Sequence, residues 1–447
     1  MRLVAATLYA LRIPFVESFS HSAAERRWSD SVVVRVRDDA GTEGYGEGTA
    51  RSYVTGETVE MMLAHLADEL WPRVADRELP AVDDLDAIGK FLPETELDGV
   101  IAPHASRAAL ELAVLDCALR RAGRPLASVL PPRRNRVTYS GVITGGPVAR
   151  AVQLARQMRT IGLTAIKLKV GSDDDVARVT AVREALGPEA SLRLDVNGAW
   201  SFDRAVEVLN AVAHLGIAAV EQPLPRGAIR ELAGLRHATT IPIMVDESLV
   251  TRSDADELIA AGAADLFNVR ISKCGGLAPS LAIASAAIAA GLGVQVGSQV
   301  GETAILSAAG RHLAAALPAV AFVEGSFGTL LLAEDVSIES VRFGHRGRGR
   351  ARAHGGGMTC EGCCDTRSRP GSGSITGPSR RRPAIRKTRR PEFSSDSFAP
   401  ARIPCSVANT GSRRSDRPPS MRGECRSETT RRSGRTSVGS CAVSREC

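Results

Sequence analysis

The sequence predicts an α/β chain built around a (β/α)8 barrel, with a separate α+β domain before it and a low-complexity basic tail after it. Three observations carry this. Short apolar runs end near Ile143, Val170, Val196, Glu221, Asp246, Val269, Gly297 and Val323, about 25 residues apart, and each precedes a stretch of helical periodicity such as "RAVEVLNAVAHLG". The first 130 residues lack that rhythm. Beyond about Phe343 apolar periodicity stops altogether.

Residues 1–130 read as antiparallel strands, "RLVAATLYALRI" and "SVVVRVRDDAGTEGYGEGTA" with a turn at Asp39 to Gly41, followed by the helical "HASRAALELAVLDCALRRAG". Residues 137–342 form the barrel, whose active-site groups belong at the C-terminal ends of its strands. Residues 343–447 are rich in Arg, Gly, Ser and Pro and hold 23 Lys plus Arg against 8 Asp plus Glu, so the net charge of +7 belongs to the tail and the body is acidic. The tail reads as a GC-rich gene translated out of frame, as a disordered basic arm, or, through "CEGCC" at Cys360 to Cys364, as a metal site. The body has only two cysteines, Cys117 and Cys274, which suggests a reducing, cytoplasmic setting without disulfides. Arg12 interrupts the only stretch placed like a signal peptide, and the Ala/Gly-rich run from Leu281 reads as a helix and a strand, so neither export nor a membrane is expected.

The polar residues at the strand ends are the unusual ones. In "TAIKLKVG", Lys167 and Lys169 lie two apart and so point to one face of a strand. "LRLDVNGAW" puts Asp195 and Asn197 on one face, "AAVEQPLP" ends on Glu221, "IPIMVDESL" ends on Asp246 with Glu247 beside it, and "LFNVRISKCGGL" places Lys273 just beyond the sixth strand. Three successive strands thus deliver carboxylates to one rim, where a cation is needed to hold them together; an all-oxygen set suits Mg²⁺, with Mn²⁺ as the alternative. The competing reading is that these acids cap helices or pair with nearby arginines. "GSFG" at Gly325 to Gly328 lacks the lysine of a phosphate loop and reads as a barrel loop.

As a set, "KLKVG", "LRLDVNGAW", "VEQPLP", "VDESL", "NVRISKCGGL" and "GSQVGE" resemble the enolase superfamily, in its muconate lactonizing enzyme subgroup, over about residues 1–343. The resemblance implies an enolase-type barrel capped by the N-terminal domain, with Mg²⁺ on Asp195, Glu221 and Asp246 and with Asn197 and Glu247 behind them. It implies Lys169 and Lys273 as an acid/base pair on opposite sides of the substrate, with Lys167 supporting Lys169 electrostatically. The reaction implied is removal of a proton α to a carboxylate, giving an enediolate, then racemisation or epimerisation, cycloisomerisation, or syn elimination as a lyase. A small carboxylate substrate and a homo-oligomer are expected. Substrate contacts are expected from the early loop "ESFSHSAAERRW", with His21, Arg26, Arg27 and Trp28, and from Ser298, Glu302 and Glu324 at the last two strands. "FVEGSFG" lacks the Asp-x-Asp of dipeptide epimerases, which weakens that reading. The other class of function is an impaired enzyme whose basic tail binds nucleic acid or another polyanion.

Overall fold

The computed structural model describes residues 1–21, 24–83, 85–337, 341–343, 345–350 and 401–403. By its contacts the chain divides into Met1–Cys405 and Ser406–Cys447, and all described residues fall in the first. "CEGCC" and almost all of the basic tail therefore lie outside the described residues.

The N-terminal segment folds as an antiparallel sheet of β1 (Leu3–His21), β2 (Ala24–Asp38) and β3 (Glu43–Gly48). The turn expected between the second and third strands is present. Gly41 takes φ +85° while the Asp38 carboxylate accepts from the Ala40 and Thr42 amides. The helix His104–Arg121 lies flush on β3 because Gly44, Gly46 and Gly48 share one face of the strand; a Cβ on any of them would collide with the helix backbone at Cys117, Ala109 or Ala105. Gly46→Val should cost about 3 kcal/mol, read as a lower urea midpoint with unchanged slope. The stretch "ESFSHSAAERRW", expected as a loop, is instead mostly strand. Beyond a register shift after Pro14, β1 and β2 continue as a ribbon through Phe19 opposite Arg26.

The barrel strands follow in order: β4 (Arg136–Thr138) leads in, then β5 (Gly141–Ile143), β6 (Ala165–Lys169), β7 (Ser191–Asp195), β8 (Ile217–Glu221), β9 (Ile243–Val245), β10 (Leu266–Val269), β11 (Gly293–Val296) and β12 (Phe322–Val323). The last eight form one parallel sheet in sequential order, β5 to β12. Tyr139 bridges to Val323 and the Ser140 amide donates to the Val323 carbonyl, so the sheet closes on itself. Every expected strand end falls within about one residue of an observed one.

Seven α-helices connect these strands, from Val148–Thr160 to Ala304–Ala316. The eighth unit departs from expectation: after β12 the described residues give two 3-10 turns, Gly328–Leu330 and His345–Gly347, in place of an α-helix. "LLAEDVSIESVRFG" has no apolar face at helical spacing, and the chain instead pairs Phe15 with Leu332 and Val16 with the Leu331 carbonyl. Structure also runs past Phe343, whose ring stacks on Tyr139, to β13 (Arg348–Arg350), paired with β4. A final strand, β14 (Ala401–Ile403), pairs with β1.

One large aliphatic core lies between the sheet and its helices and continues under the N-terminal sheet. Ala219, Met244 and Leu266, with Phe322 against them, form a separate small apolar cluster inside the barrel. Above it the interior is charged. The two parts are joined by carboxylates that cap barrel helices. Glu47 accepts from the Thr303 hydroxyl at 2.6 Å and from the Leu306 amide, and Glu111 accepts from the Leu277 and Ala278 amides. Both carboxyls are raised by burial, Glu111 to about 7.

Candidate active site

Strand register builds the site. Lys169, Asp195 and Glu221 stand side by side on β6, β7 and β8, and one layer deeper Lys167 stands beside Arg193. Asp246 and Glu247 follow directly on β9. All of these side chains are buried.

The two lysines of β6 share one acceptor: Asp195 Oδ2 lies 3.0 Å from Lys167 Nζ and 2.7 Å from Lys169 Nζ. Burial opposes charge on Lys167, but Asp195, Glu221 and Glu324 outweigh it and push its pKa up, so this ammonium is a fixed cation. Lys169 also donates to Asn197 Oδ1 at 2.6 Å and reaches the cavity wall. Asn197 adopts φ +51°, a left-handed conformation that asparagine tolerates, and its amide donates to Glu247 Oε1 at 3.0 Å.

Among the carboxylates, burial would raise Asp195, yet Lys167 and Lys169 hold it well below the ordinary range. Burial and the neighbouring Asp195 push Glu221 up to about 7. Burial likewise opposes the Asp246 charge, which Arg270 and Lys273 restore and hold low. Among the described residues no three Asp, Glu, His or Cys side chains already stand in ligating geometry around one point, because cations are interleaved between them. The set nevertheless fits a small hard cation: its donors are all oxygens, and Asp195 Oδ1 and Glu247 Oε2 are buried and accept no hydrogen bond.

The Lys273 ammonium is fully buried against the rim carboxylate of Asp246, donating to the Asp246 carbonyl (2.7 Å), to Asp246 Oδ1 (2.8 Å) and to the Asn268 carbonyl (2.8 Å). Arg270, three residues earlier, lines the cavity. Glu324 lines the cavity, and its carboxylate pairs with Lys167 at 2.8 Å and with Arg193 at 2.9 Å. Lys273→Met should cost about 3 kcal/mol of stability by leaving Asp246 and two carbonyls without their donor; a denaturant titration at pH 7 checks this.

Ser298 and Glu302 line the cavity; burial raises the Glu302 carboxyl to about 8 while its Oε1 accepts from the Gln299 amide at 2.6 Å. His21 and Arg26 are described only as backbone. Arg27 is exposed, and Trp28 is 41% exposed with the Arg12 guanidinium 4.8 Å over its ring. From the N-terminal segment it is Val16 and Tyr53 that reach the cavity, whose volume is about 660 Å³. Sequence reasoning also missed Gln222, at φ +41°. Its side chain accepts from the Asp246 and Ser248 amides and donates to the Ser248 hydroxyl and the Leu224 carbonyl, which fixes the β9 end against β8. Arg193, Asn268 and Gln295 were likewise passed over, though alternation along their strands places all three inside the barrel. Asn268 and Gln295 donate to Glu221 at 2.8 and 3.3 Å.

A closed parallel barrel whose strand ends gather buried carboxylates and lysines around one cavity defines an enzyme site for acid/base chemistry. The family model described as "Enolase C-terminal domain-like" matches residues 150–360. An N-succinyl-L-Arg/Lys racemase of Bacillus cereus is 30% identical over 340 residues, 75% of this chain and 90% of the relative. Muconate cycloisomerase 1 of Rhodococcus opacus is 30% identical over 353 residues, 77% and 92% of the two chains. The crystal structure of a dipeptide epimerase from Enterococcus faecalis, complexed with Mg and L-Leu-L-Tyr, superposes with a TM-score of 0.71 at 27% identity, over 80% of this chain and 99% of that one. The chain therefore belongs to the mandelate racemase/muconate lactonizing enzyme family of the enolase superfamily, and these relatives are isomerases. No helix among the described residues is long and apolar enough to cross a membrane.

Proposed function

We propose that this chain isomerises a small carboxylic acid by Mg²⁺-assisted removal or delivery of a proton α to its carboxylate. The observation that carries the reading is the rim itself: Asp195, Glu221 and Asp246 close three successive strands, and Lys169 sits on Asp195 at the edge of the cavity. Asp195, Glu221 and Asp246 would hold the cation, with Asn197 and Glu247 orienting them. When bound, Mg²⁺ neutralises the negative charge that gathers on a substrate carboxylate as its α-proton leaves.

The rest falls to side chains of this protein. Lys169, in its amine form, takes the proton, with Asn197 and Asp195 setting the direction of its Nζ. Lys167 is the permanent positive charge below it, stabilising both Asp195 and the developing enediolate. Val16 and Tyr53 close the cavity from the N-terminal segment, which thereby caps the barrel mouth and excludes water. With Glu324 engaged by two cations, N-acylated amino acids and unsaturated dicarboxylates suit the cavity better than free amines.

The test is ¹H NMR in D₂O with N-succinyl amino acids, dipeptides and cis,cis-muconate, with and without Mg²⁺. Metal-dependent loss of an α-proton signal, or conversion of muconate to lactone, is the expected result. The same spectra with and without metal for every compound would sink the reading.

A further inference from the structure

We infer that the N-terminal segment sets the position of Lys273, and that His104 is the positioning residue through which it does so. The inference rests on the reading of Lys273 as the second lysine of the acid/base pair, opposite Lys169, and adds the device that holds it there. Lys273 lies beyond the end of β10, on a turn that runs into two glycines in backbone conformations open to little else: Gly275 takes φ +88° and Gly276 φ +129°. Strand pairing does not fix such a segment, so its place is set by what packs against it.

The helix His104–Arg121 packs against it. His104, Arg107 and Glu111 stand at i, i+3 and i+7, on one face of that helix. His104 Nδ1 lies 2.9 Å from the Lys273 carbonyl, and Arg107 donates to the Gly275 carbonyl at 2.7 Å. Glu111 accepts from the Leu277 amide and, at 3.2 Å, from the Ala278 amide. Just past β3, the Thr49 amide donates to the Ser272 hydroxyl at 3.0 Å. The approach is close: a Cβ on Gly275 would stand 3.2 Å from the His104 ring, and one on Gly276 would collide with the Glu111 carboxylate. Lys273 and the residues on both sides of it are thus tied to the N-terminal segment, while its ammonium reaches Asp246 and Asn268 in the barrel.

His104 makes the bond to the peptide of Lys273 itself. A carbonyl only accepts, so Nδ1 carries the hydrogen, and burial, which lowers the imidazole pKa, keeps the ring neutral. His104 is not among the residues that line the cavity, so it acts through Lys273 and not on substrate. Without its donor the Lys273 carbonyl loses a partner and the turn shifts, carrying the lysine with it. A displacement of about 1 Å at a group that transfers a proton costs on the order of 100-fold in rate. With lysines on opposite faces, each α-epimer gives its proton to a different one. For the epimer facing Lys273, the C–H bond breaks toward the Lys273 amine and the electron pair stays on the substrate as the enediolate. Moving Lys273 therefore slows that epimer and spares the other.

Two measurements on the full chain test this, with His104→Leu, which removes the donor, His104→Asn, which keeps one near the Nδ1 position, and Ser272→Ala, a milder change on the barrel side of the same turn. First, α-proton exchange in D₂O with Mg²⁺ is followed by NMR for N-succinyl-L- and N-succinyl-D-arginine and for L-Leu-L-Tyr and L-Leu-D-Tyr. His104→Leu should slow one epimer of a pair about tenfold more than the other, His104→Asn should restore it to within about threefold, and Ser272→Ala should bias the same epimer about threefold. Equal losses for both epimers, as general destabilisation would give, or no loss at all, would overturn the inference. The second measurement needs no turnover: amide hydrogen exchange by mass spectrometry without metal. In His104→Leu the amides of residues 272–278 should exchange about tenfold faster while those of β6 stay unchanged, and His104→Asn should reverse this. Unchanged exchange at 272–278, or the same acceleration throughout the chain, would overturn it. Absence of α-proton exchange for every probe together with the local acceleration counts against the proposed reaction and supports the hold on Lys273.

Discussion

Lys169→Ala should lower Mg²⁺-dependent α-proton exchange by about 1,000-fold or more, as loss of a positioned proton acceptor does. Its melting temperature should move by only a few degrees, because Lys167 remains 3.0 Å from the Asp195 oxygen that both lysines share. Lys169→Arg is the informative companion. It keeps the positive charge beside Asp195 but cannot accept a proton from carbon, so exchange should be lost as fully as in the alanine variant. Recovery of exchange in the arginine variant would mean that Lys169 serves by charge alone. Exchange rates from NMR and a thermal melt decide between these outcomes.

Glu221→Gln should weaken Mg²⁺ binding about 100-fold or more in a calorimetric titration, since it removes one charged donor without changing side-chain size. Its effect on the metal-free fold should run the other way. Burial and Asp195 raise the Glu221 carboxyl to about 7, above its unfolded value, so the folded protein binds more protons than the unfolded chain between roughly pH 4.5 and 7. Stability from this group therefore falls as pH rises through that window, and the glutamine variant should be at least as stable as the parent at pH 8. Unfolding curves at pH 5 and pH 8 without metal should show the gap between variant and parent moving in the variant's favour as pH rises. A variant less stable at pH 8 would mean that the Glu221 charge helps to hold the barrel together.

The barrel was legible because each strand's apolar run stops where its residues leave the sheet. Glu221 and Asp246 mark the ends of β8 and β9 in the text itself, and two-residue spacing on a strand is enough to put Lys167 with Lys169. Alternation stops helping where the backbone stops being a strand. Arg270 and Lys273 both follow β10, three residues apart on a turn, and only the path of that turn brings Arg270 to the cavity wall and the Lys273 ammonium onto Asp246 and the Asn268 carbonyl. Glu324 is legible only as a candidate substrate contact, because its ion-pair partners lie far away in sequence, on β6 and β7. Gln222 was hidden for a different reason. Its importance is to bind backbone amides of the next strand end, and no side-chain pattern announces that.

The most direct test of the central claim, that three strand ends form one cation site, is a crystal of the protein grown with Mn²⁺ standing in for Mg²⁺, with anomalous diffraction used to locate the metal. The account predicts one strong anomalous peak bonded to carboxylate oxygens of Asp195, Glu221 and Asp246, lost in the Glu221→Gln variant. No peak among these three residues at saturating Mn²⁺, with Lys167, Lys169 and Arg270 still ion-paired to them, would contradict it.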